Sequence, residues 1–162
     1  MRYCFDIETD GFLHEATQIH CIVLKDIDTG EVFVLRKDES LSKLEQAELI
    51  IGHNVIKFDL PVIKKFYPSF KTKAKIFDTL VATRLLYPDI KDNDFKRLNF
   101  PKNCIGKHSL KAWGYRIGNY KDQIETDWKQ FTPEMLEYCI QDVEVTHSLY
   151  KKIELKGKQR KD

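Results

Sequence analysis

Two acidic side chains with strand-like spacing lie near the start of the chain. Asp6 and Glu8 are separated by one residue, in a segment whose composition predicts a half-buried strand over residues 2–7. Alternate residues of a strand point to the same face, so the two carboxylates repel each other unless a cation lies between them. A solvated strand edge would explain the pair equally well, and Asp142 and Glu144 repeat the spacing. The pair alone is therefore a weak indication of a metal site.

A second group of polar residues follows an apolar run at residues 49–51, which predicts a buried strand. His53 and Asn54 come directly after this run, and Phe58 and Asp59 begin the next predicted helix. Ligands of α/β proteins bind at the carboxyl ends of such strands. A simple interaction of Asp59 with the helix dipole would also account for its position.

A third fragment, Tyr138 and Asp142, lies in the last predicted helix. Positions i and i+4 share a helix face, so the phenol and the carboxylate present together. An apolar stripe beside them would dock the helix on the sheet, and it consists of Leu136, Cys139, Ile140 and Val143. The Tyr138 and Asp142 pair could also be only the polar boundary of that buried face.

In chain order, the three fragments resemble the motifs of the DEDD exonuclease superfamily. The resemblance is to the tyrosine subclass, because Glu137 stands where the other subclass has histidine. Residues 76–80, 85–94 and 108–118 are similar to the proofreading exonuclease domain of podovirus (T-seven-type) family A DNA polymerases. The likeness runs from Arg2 to about Ile153. We expect a stand-alone exonuclease or a separately encoded proofreading subunit rather than a fragment of a longer polymerase.

This resemblance implies a catalytic centre with two divalent cations, Mg²⁺ or Mn²⁺. It implies that Asp6, Glu8 and Asp142 hold the first ion. Asp6 would bridge to the second, which Asp59 reaches directly or through water. Tyr138 would orient the attacking water by a hydrogen bond. Hard ions of this kind prefer carboxylate and water oxygens, which matches an all-acidic ligand set.

Candidate substrate-binding residues lie on both sides of these motifs. Thr9, Phe12 and Leu13 follow the first predicted strand, and Phe12 or Leu13 would stack on the terminal base unless Phe12 belongs to the core. Asn54 and His108 are candidates for contact with a phosphate or the 3′ end, although loop structure or helix capping would explain them as well. Asp78 is interpreted as a helix cap and Trp113 as a core residue.

The elements that must position these residues follow a mixed α/β order. Strands are predicted over residues 2–7, 19–25, 31–35, 49–51 and 75–77. Helices are predicted over residues 41–48, 58–66, 79–87, 109–113 and 133–153. Ser40 would cap the first of these helices and Thr132 the last, and Gly114 would close the fourth. Residues 89–107 are expected to form a surface excursion. Together with the resemblance, this order predicts a ribonuclease-H-like α/β fold: a mixed five-stranded sheet flanked by helices on both faces.

Bulk properties set further limits. A chain of 162 residues fits one exonuclease domain over residues 1–155, followed by a basic, flexible tail over 156–162. No run approaches the roughly 18 apolar residues that a membrane span needs, so we expect a cytoplasmic protein, in a bacterial or phage-infected cell.

The four cysteines are far apart and should be reduced, and no spacing predicts a zinc site. Residues 151–162 contain six basic and two acidic residues, which leaves the rest of the chain with a net charge of −2, so the body does not suit a protein that binds duplex DNA by charge alone.

We therefore expect a monomeric, metal-dependent 3′→5′ DNA exonuclease that releases nucleoside 5′-monophosphates. Its partners would be single-stranded DNA or frayed 3′ ends, and a DNA polymerase subunit is a further candidate. An RNA-trimming exonuclease on the same scaffold is one alternative, because the sequence does not show whether the pocket accepts a 2′-hydroxyl. A catalytically silent nucleic-acid-binding accessory is another, but four carboxylates beside Tyr138 argue against it.

Overall fold

A computed structural model describes residues 1–36, 39–119 and 127–161, with side chains described as far as residue 159. Five strands form one mixed sheet in the order β3-β2-β1-β4-β5. Antiparallel pairing joins β1 to β2 and β2 to β3, and parallel pairing joins β1 to β4 and β4 to β5. The strands are β1 (Arg2–Thr9), β2 (Ile19–Asp26), β3 (Val32–Leu35), β4 (Leu49–Gly52) and β5 (Lys75–Asp78). All five predicted strands are thus confirmed.

The two faces of central strand β1 carry different side chains. Tyr3, Phe5 and Ile7 belong to an apolar cluster that also includes residues of α1 (Ser42–Glu45) and α2 (Leu60–Phe66). On the alternate positions, Cys4 packs in a second cluster with Cys139 and Val143 of the last helix, α6 (Pro133–Lys161). Helices therefore cover both faces, as predicted, and Asp6 and Glu8 face α6. None of the helices, within the residues described, is both long and apolar enough to cross a membrane.

Helix α6 begins where the sequence predicts and ends later. The backbone amide of Met135 donates to Thr132 Oγ1 at 3.3 Å, and Pro133 occupies the first turn. The predicted end near Ile153 is wrong, because the helix continues to Lys161. Lysine, glutamate and leucine are good helix formers, and the Lys156 ammonium lies 4.0 Å from the centre of the Tyr87 ring. Residues 156–161 therefore extend the helix rather than forming a separate tail, and residue 162 lies outside the described residues.

The segment expected to be a surface excursion is built into the fold. It contains α4 (Ile90–Phe95) and a 3₁₀ turn (Lys102–Cys104), after α3 (Thr79–Leu86). Asp94 is 1% exposed and accepts hydrogen bonds from Arg116 Nε at 2.9 Å and from Arg116 Nη2 at 2.6 Å. A buried ion pair thus joins this segment to α5 (Leu110–Ile117).

Two predicted helix ends are also wrong. Gly114 does not close α5 but lies buried inside it, and the helix ends at Gly118, whose φ of 82° is in the left-handed region that glycine favours. Ser40 is not at the N-cap position of α1, which is Leu41, although its hydroxyl accepts from the amide of Ser42 at 3.2 Å. Ser109 is the cap of α5, since its hydroxyl accepts from the amide of Ala112 at 3.2 Å. Trp113 is fully buried, as predicted for a core residue.

Candidate active site

Four carboxylates from three separate segments meet above β1. Asp6 and Glu8 come from the strand, Asp142 from α6, and Asp59 from the end of a π-helical turn (Val55–Asp59) that precedes α2. Asp142 lies close enough to Asp6 for the two carboxyl groups to influence each other's ionisation. Asp59 is 3% exposed and lies close enough to Asp6 for their charges to interact. The fold therefore brings together all four acids that the sequence singles out.

Crowding and burial alter the acidity of these groups. Burial raises the pKa of Asp6 to about 7. Burial, and then the charges of Asp6 and Asp142, raises the pKa of Glu8 to about 10. Burial and the neighbouring Asp6 raise the pKa of Asp59 well above its usual value. Without a cation, the four acids cannot all be ionised near neutral pH.

The donor set fits divalent cations. Among the described residues, Asp59 Oδ2 has no hydrogen-bond partner although it is buried, and such an atom is costly unless something binds it. Carboxylate oxygens are the ligands that Mg²⁺ and Mn²⁺ prefer. One ligand atom each from Asp6, Glu8 and Cys139 also lies within 4.8 Å of the other two. The site can therefore hold a divalent ion by its acidic residues.

Tyr138 lies on the same side of α6 as Asp142. Burial, together with the charges of Asp142, Glu8 and Asp6, raises the pKa of its phenol to about 12. The phenol is therefore protonated at neutral pH and can donate a hydrogen bond towards the carboxylates. Its ring lies edge-on to Trp128, with 6.4 Å between the ring centres.

The loop that carries Asp59 is held by Asp78 at the end of β5. Asp78 accepts from the backbone amides of Asn54 at 2.9 Å, Ile56 at 3.1 Å and Leu80 at 2.9 Å. The prediction that Asp78 caps a helix is confirmed, and the same carboxylate also fixes the turn after β4. Asn54 adopts a left-handed conformation with φ 61° in this turn. At Gly52, a Cβ atom would lie 2.9 Å from Val55 Cβ, so the tight turn excludes larger residues.

An aromatic cavity of about 430 Å³ opens beside Glu8, and its lining includes Thr9, Phe12, Phe58 and Trp128. Phe12 is 78% exposed, so it does not belong to the core. Leu13 instead packs against the first apolar cluster and is not in the cavity lining. Thr9 is buried, and its hydroxyl donates to the carbonyl of Gly11 at 2.6 Å.

Sequence reasoning missed Trp128. Its carbonyl accepts from His20 Nε2 at 2.6 Å, which ties the residue to β2. The segment before α6 lacks periodicity, so its path could not be predicted. An isolated tryptophan in a polar stretch near Tyr138 was the only available indication.

A second cavity, of about 530 Å³, carries cationic groups, and its lining includes His53, Asn54, Arg84, Lys107 and His108. We call it the cationic cavity. Its lining includes both candidate phosphate contacts, Asn54 and His108. It also includes Arg84 and Lys107, which could not be recognised from the sequence. Arg84 follows Leu80 by one helical turn, so both face the cavity from α3.

His53 fixes the wall of the cationic cavity. Its Nε2 donates to the carbonyl of His108 at 2.8 Å, since a carbonyl oxygen can only accept. Its Nδ1 lies 2.8 Å from the hydroxyl of Thr79. Burial lowers the pKa of His53 to about 4, so the ring is neutral and Nδ1 accepts from the hydroxyl. His53 thus links the end of β4 to the loop before α5.

Comparison with known proteins shows similarity to a nuclease superfamily model, to two phage DNA polymerases and to one solved fold. A family model described as RNase_H superfamily matches residues 3–154. Two curated relatives are the DNA-directed DNA polymerases of Escherichia phage T7 and Enterobacteria phage T3, each 31% identical over 91% of this chain. The chain spans 26% of the length of each. A solved structure described as "apo form of the nuclease" shares the fold, with a TM-score of 0.68 and 21% identity over 96% of this chain and 72% of that one.

Proposed function

Because the chain belongs to the RNase H superfamily, a superfamily of nucleases, we propose that it is a metal-dependent 3′→5′ exonuclease acting on single-stranded DNA ends. One observation carries the proposal: four carboxylates and Tyr138 from distant segments converge beside a cavity lined by aromatic rings. A module that only binds nucleic acid gains nothing from clustered acids, because they repel phosphate. A hydrolase that holds cations needs them.

Asp6, Glu8, Asp59 and Asp142 would hold two divalent ions, Mg²⁺ or Mn²⁺. Bound ions of this kind make water nucleophilic near neutral pH and stabilise the leaving oxygen. The protein itself fixes the positions of the ligands. Asp6 and Glu8 are held by the pairing of β1 with its neighbouring strands, and Asp59 is held by the loop whose backbone amides donate to Asp78. Tyr138, protonated and directed to the same face, orients the attacking water by a hydrogen bond.

The aromatic cavity would take the terminal nucleotide. Phe12 presents an exposed ring at its rim, and Trp128 and Phe58 supply further apolar surface. Stacking on such rings tolerates any base, as an exonuclease without sequence preference requires. Thr9 shapes the turn that presents Phe12, through its hydrogen bond with Gly11.

The cationic cavity would bind a phosphate further along the strand. Arg84 and Lys107 bring positive charge to a concave surface near the carboxyl ends of β4 and β5. Asn54 and His108 would add polar contacts there. A terminal base that stacks among the rings of the aromatic cavity must be unpaired, which favours single-stranded ends.

DNA is the proposed polymer because both curated relatives are DNA polymerases. On this basis the chain would remove nucleoside 5′-monophosphates from mismatched or frayed 3′ ends, with a DNA polymerase as partner. We propose the cytoplasm of a bacterial or phage-infected cell as its place of action.

The test uses single-stranded DNA and RNA labelled at the 5′ end, incubated with Mg²⁺, with Mn²⁺ or with EDTA. A 3′→5′ exonuclease gives a descending ladder of labelled products, whereas a 5′→3′ enzyme releases the label at once as a mononucleotide. A ladder on DNA that EDTA abolishes supports the proposal. A ladder on RNA alone would indicate RNA trimming, and binding without shortening would indicate the silent accessory.

A further inference from the structure

A sulfur atom lies among the carboxylates of the candidate active site. Cys139 Sγ is 3.6 Å from Asp6 Oδ2, and one ligand atom each of Asp6, Glu8 and Cys139 lies within 4.8 Å of the other two. In tetrahedral zinc sites, Zn–S bonds of about 2.3 Å and Zn–O bonds of about 2.0–2.2 Å place sulfur and oxygen ligands roughly 3.5–3.7 Å apart. The observed separation therefore already suits an ion held between a thiolate and a carboxylate.

The position of this thiol is fixed. Cys139 is fully buried on the face of α6 that covers the sheet. Its thiol donates towards Asp6, with Sγ 3.6 Å from both the backbone oxygen and Oδ2 of that residue. Asp6 and Glu8 are only half-buried, so an ion that enters between their carboxylates comes to lie beside the sulfur.

A separate observation indicates that an ion belongs here. Asp59 is 3% exposed, interacts with Asp6, and has one oxygen, Oδ2, without a hydrogen-bond partner among the described residues. Such an atom next to three further carboxylates is best satisfied by a cation. An ion bound by these carboxylate oxygens would also lie close to Cys139 Sγ.

We propose that Asp6, Glu8 and Cys139 form a binding site for thiophilic divalent ions, Zn²⁺ or Cd²⁺, which displace the catalytic ions and hold the enzyme inactive. This regulation rests on the proposed function, since it uses oxygens that cleavage needs. Mg²⁺ has little affinity for sulfur, so Cys139 remains a neutral thiol in its presence. A soft ion instead binds the thiolate, and the thiol proton passes to solvent.

Sequence spacing could not indicate this site, because Asp6 and Cys139 are 133 residues apart. Zinc motifs are recognised by ligands close together in the chain, whereas these ligands meet only when α6 packs on β1. The expectation of no zinc site considered only ligand spacing along the chain, which does not bear on ligands brought together by the fold.

The direct test is a titration with Cd²⁺, followed by the ultraviolet absorbance that arises when a thiolate binds this ion. The wild type, Cys139→Ser, Cys139→Ala and a matched buried control, Cys104→Ser, are compared, with melting temperatures as a check of folding. We expect the band in the wild type and in Cys104→Ser, its loss in both Cys139 variants, and a Cd²⁺ affinity lowered by roughly 10- to 100-fold or more. Absence of the band in the wild type, or its persistence in the Cys139 variants, overturns the proposal.

A second arm measures inhibition of Mg²⁺-supported cleavage by Zn²⁺, with each rate divided by that of the same variant without zinc. We expect Cys139→Ser to need more zinc than the wild type for equal inhibition, and equal sensitivity would contradict the proposal. A protein inactive with every ion would contradict the proposed function, while the absorbance would still decide whether sulfur binds the ion. An active enzyme without the band would contradict the soft-ion site alone.

Discussion

The carboxyl groups of Asp6 and Asp142 lie close enough to influence each other's ionisation, although they lie on the first strand and the last helix of the fold. Two carboxyl groups held this close titrate as a coupled pair rather than independently. Glu8 and Asp59 add further negative charge, so the metal-free site lacks compensating positive charge. Stability should therefore depend on both pH and divalent cations.

We predict that the metal-free protein loses thermal stability as the pH rises from about 5 to about 8. Folding raises the pKa of Asp6 from 3.8 to about 7, and also raises those of Glu8 and Asp59. A carboxyl whose pKa is raised by folding contributes stability at acid pH, which is lost as the pH rises from its unfolded value through its folded value. Melting temperatures in EDTA across this range provide the measurement.

Mn²⁺ should reverse this dependence, because a bound cation favours the ionised carboxylates. The rise in melting temperature on adding Mn²⁺ should be greater at pH 8 than at pH 5. Asp142→Asn should be more stable than the wild type in EDTA and should gain less from Mn²⁺. If Mn²⁺ did not stabilise the wild type at either pH, the four acids would not form a shared cation site.

The second prediction concerns the buried pair of Asp94 and Arg116. Burial opposes ionisation of Asp94, but hydrogen bonds from Arg116 and Gly106 outweigh it and lower the pKa of Asp94. The stability it contributes is present above the unfolded pKa and is lost as the pH falls through the folded pKa. Asp94→Ala leaves Arg116 buried without its carboxylate, which should destabilise the fold by about 3–5 kcal/mol.

Urea denaturation near neutral pH measures this loss. Asp92→Ala, on the exposed side of the same helix, is the matched control and should change stability little. Equal effects of the two substitutions would mean that the Asp94 pair does not anchor the segment. A smaller effect of Asp94→Ala at acid pH than at neutral pH would support the assigned charge state.

Sequence periodicity predicted the sheet for a physical reason. Strand β1 and helix α6 carry long apolar patterns that fix which face is buried, so Asp6, Glu8 and Asp142 could be assigned to faces. The selection of these three acids and Asp59 as one set depended on the resemblance of the three fragments to a known family. Helix α4 is short, and its buried acid Asp94 is paired with Gly106 and Arg116 farther along the chain, so a local pattern could not reveal it. Trp128 and Cys139 acquire their roles only through packing of distant segments.

We predict that Tyr138→Phe slows cleavage by roughly 10²-fold or less. The substitution removes one hydrogen bond to the attacking water and leaves every carboxylate in place. Single-turnover rates at saturating single-stranded DNA and Mg²⁺ measure the effect. Loss of activity as complete as in Asp142→Asn would show that the phenol has an essential role beyond orientation.

Substitutions in the cationic cavity should weaken strand binding through charge. Replacing Arg84 and Lys107 together by glutamine should reduce affinity for single-stranded DNA most strongly at low salt. The slope of log affinity against log salt should fall by roughly 0.7 for each phosphate that the variant no longer neutralises. Lys96→Gln, an exposed lysine outside the cavity, is the control. An unchanged slope in the double variant would remove the cavity from the strand path.

The central claim is that Asp142 and its neighbouring acids perform hydrolysis, and one comparison tests it most directly. Glu144 lies two residues away on α6 but forms an ion pair with Lys25 at 2.7 Å. The measurement is the Mg²⁺-dependent rate at which 5′-labelled single-stranded DNA is shortened by the wild type, Asp142→Asn and Glu144→Gln. The account predicts that Asp142→Asn is folded but inactive and that Glu144→Gln is close to wild type. An Asp142→Asn variant that retained more than about a tenth of the wild-type rate would contradict it.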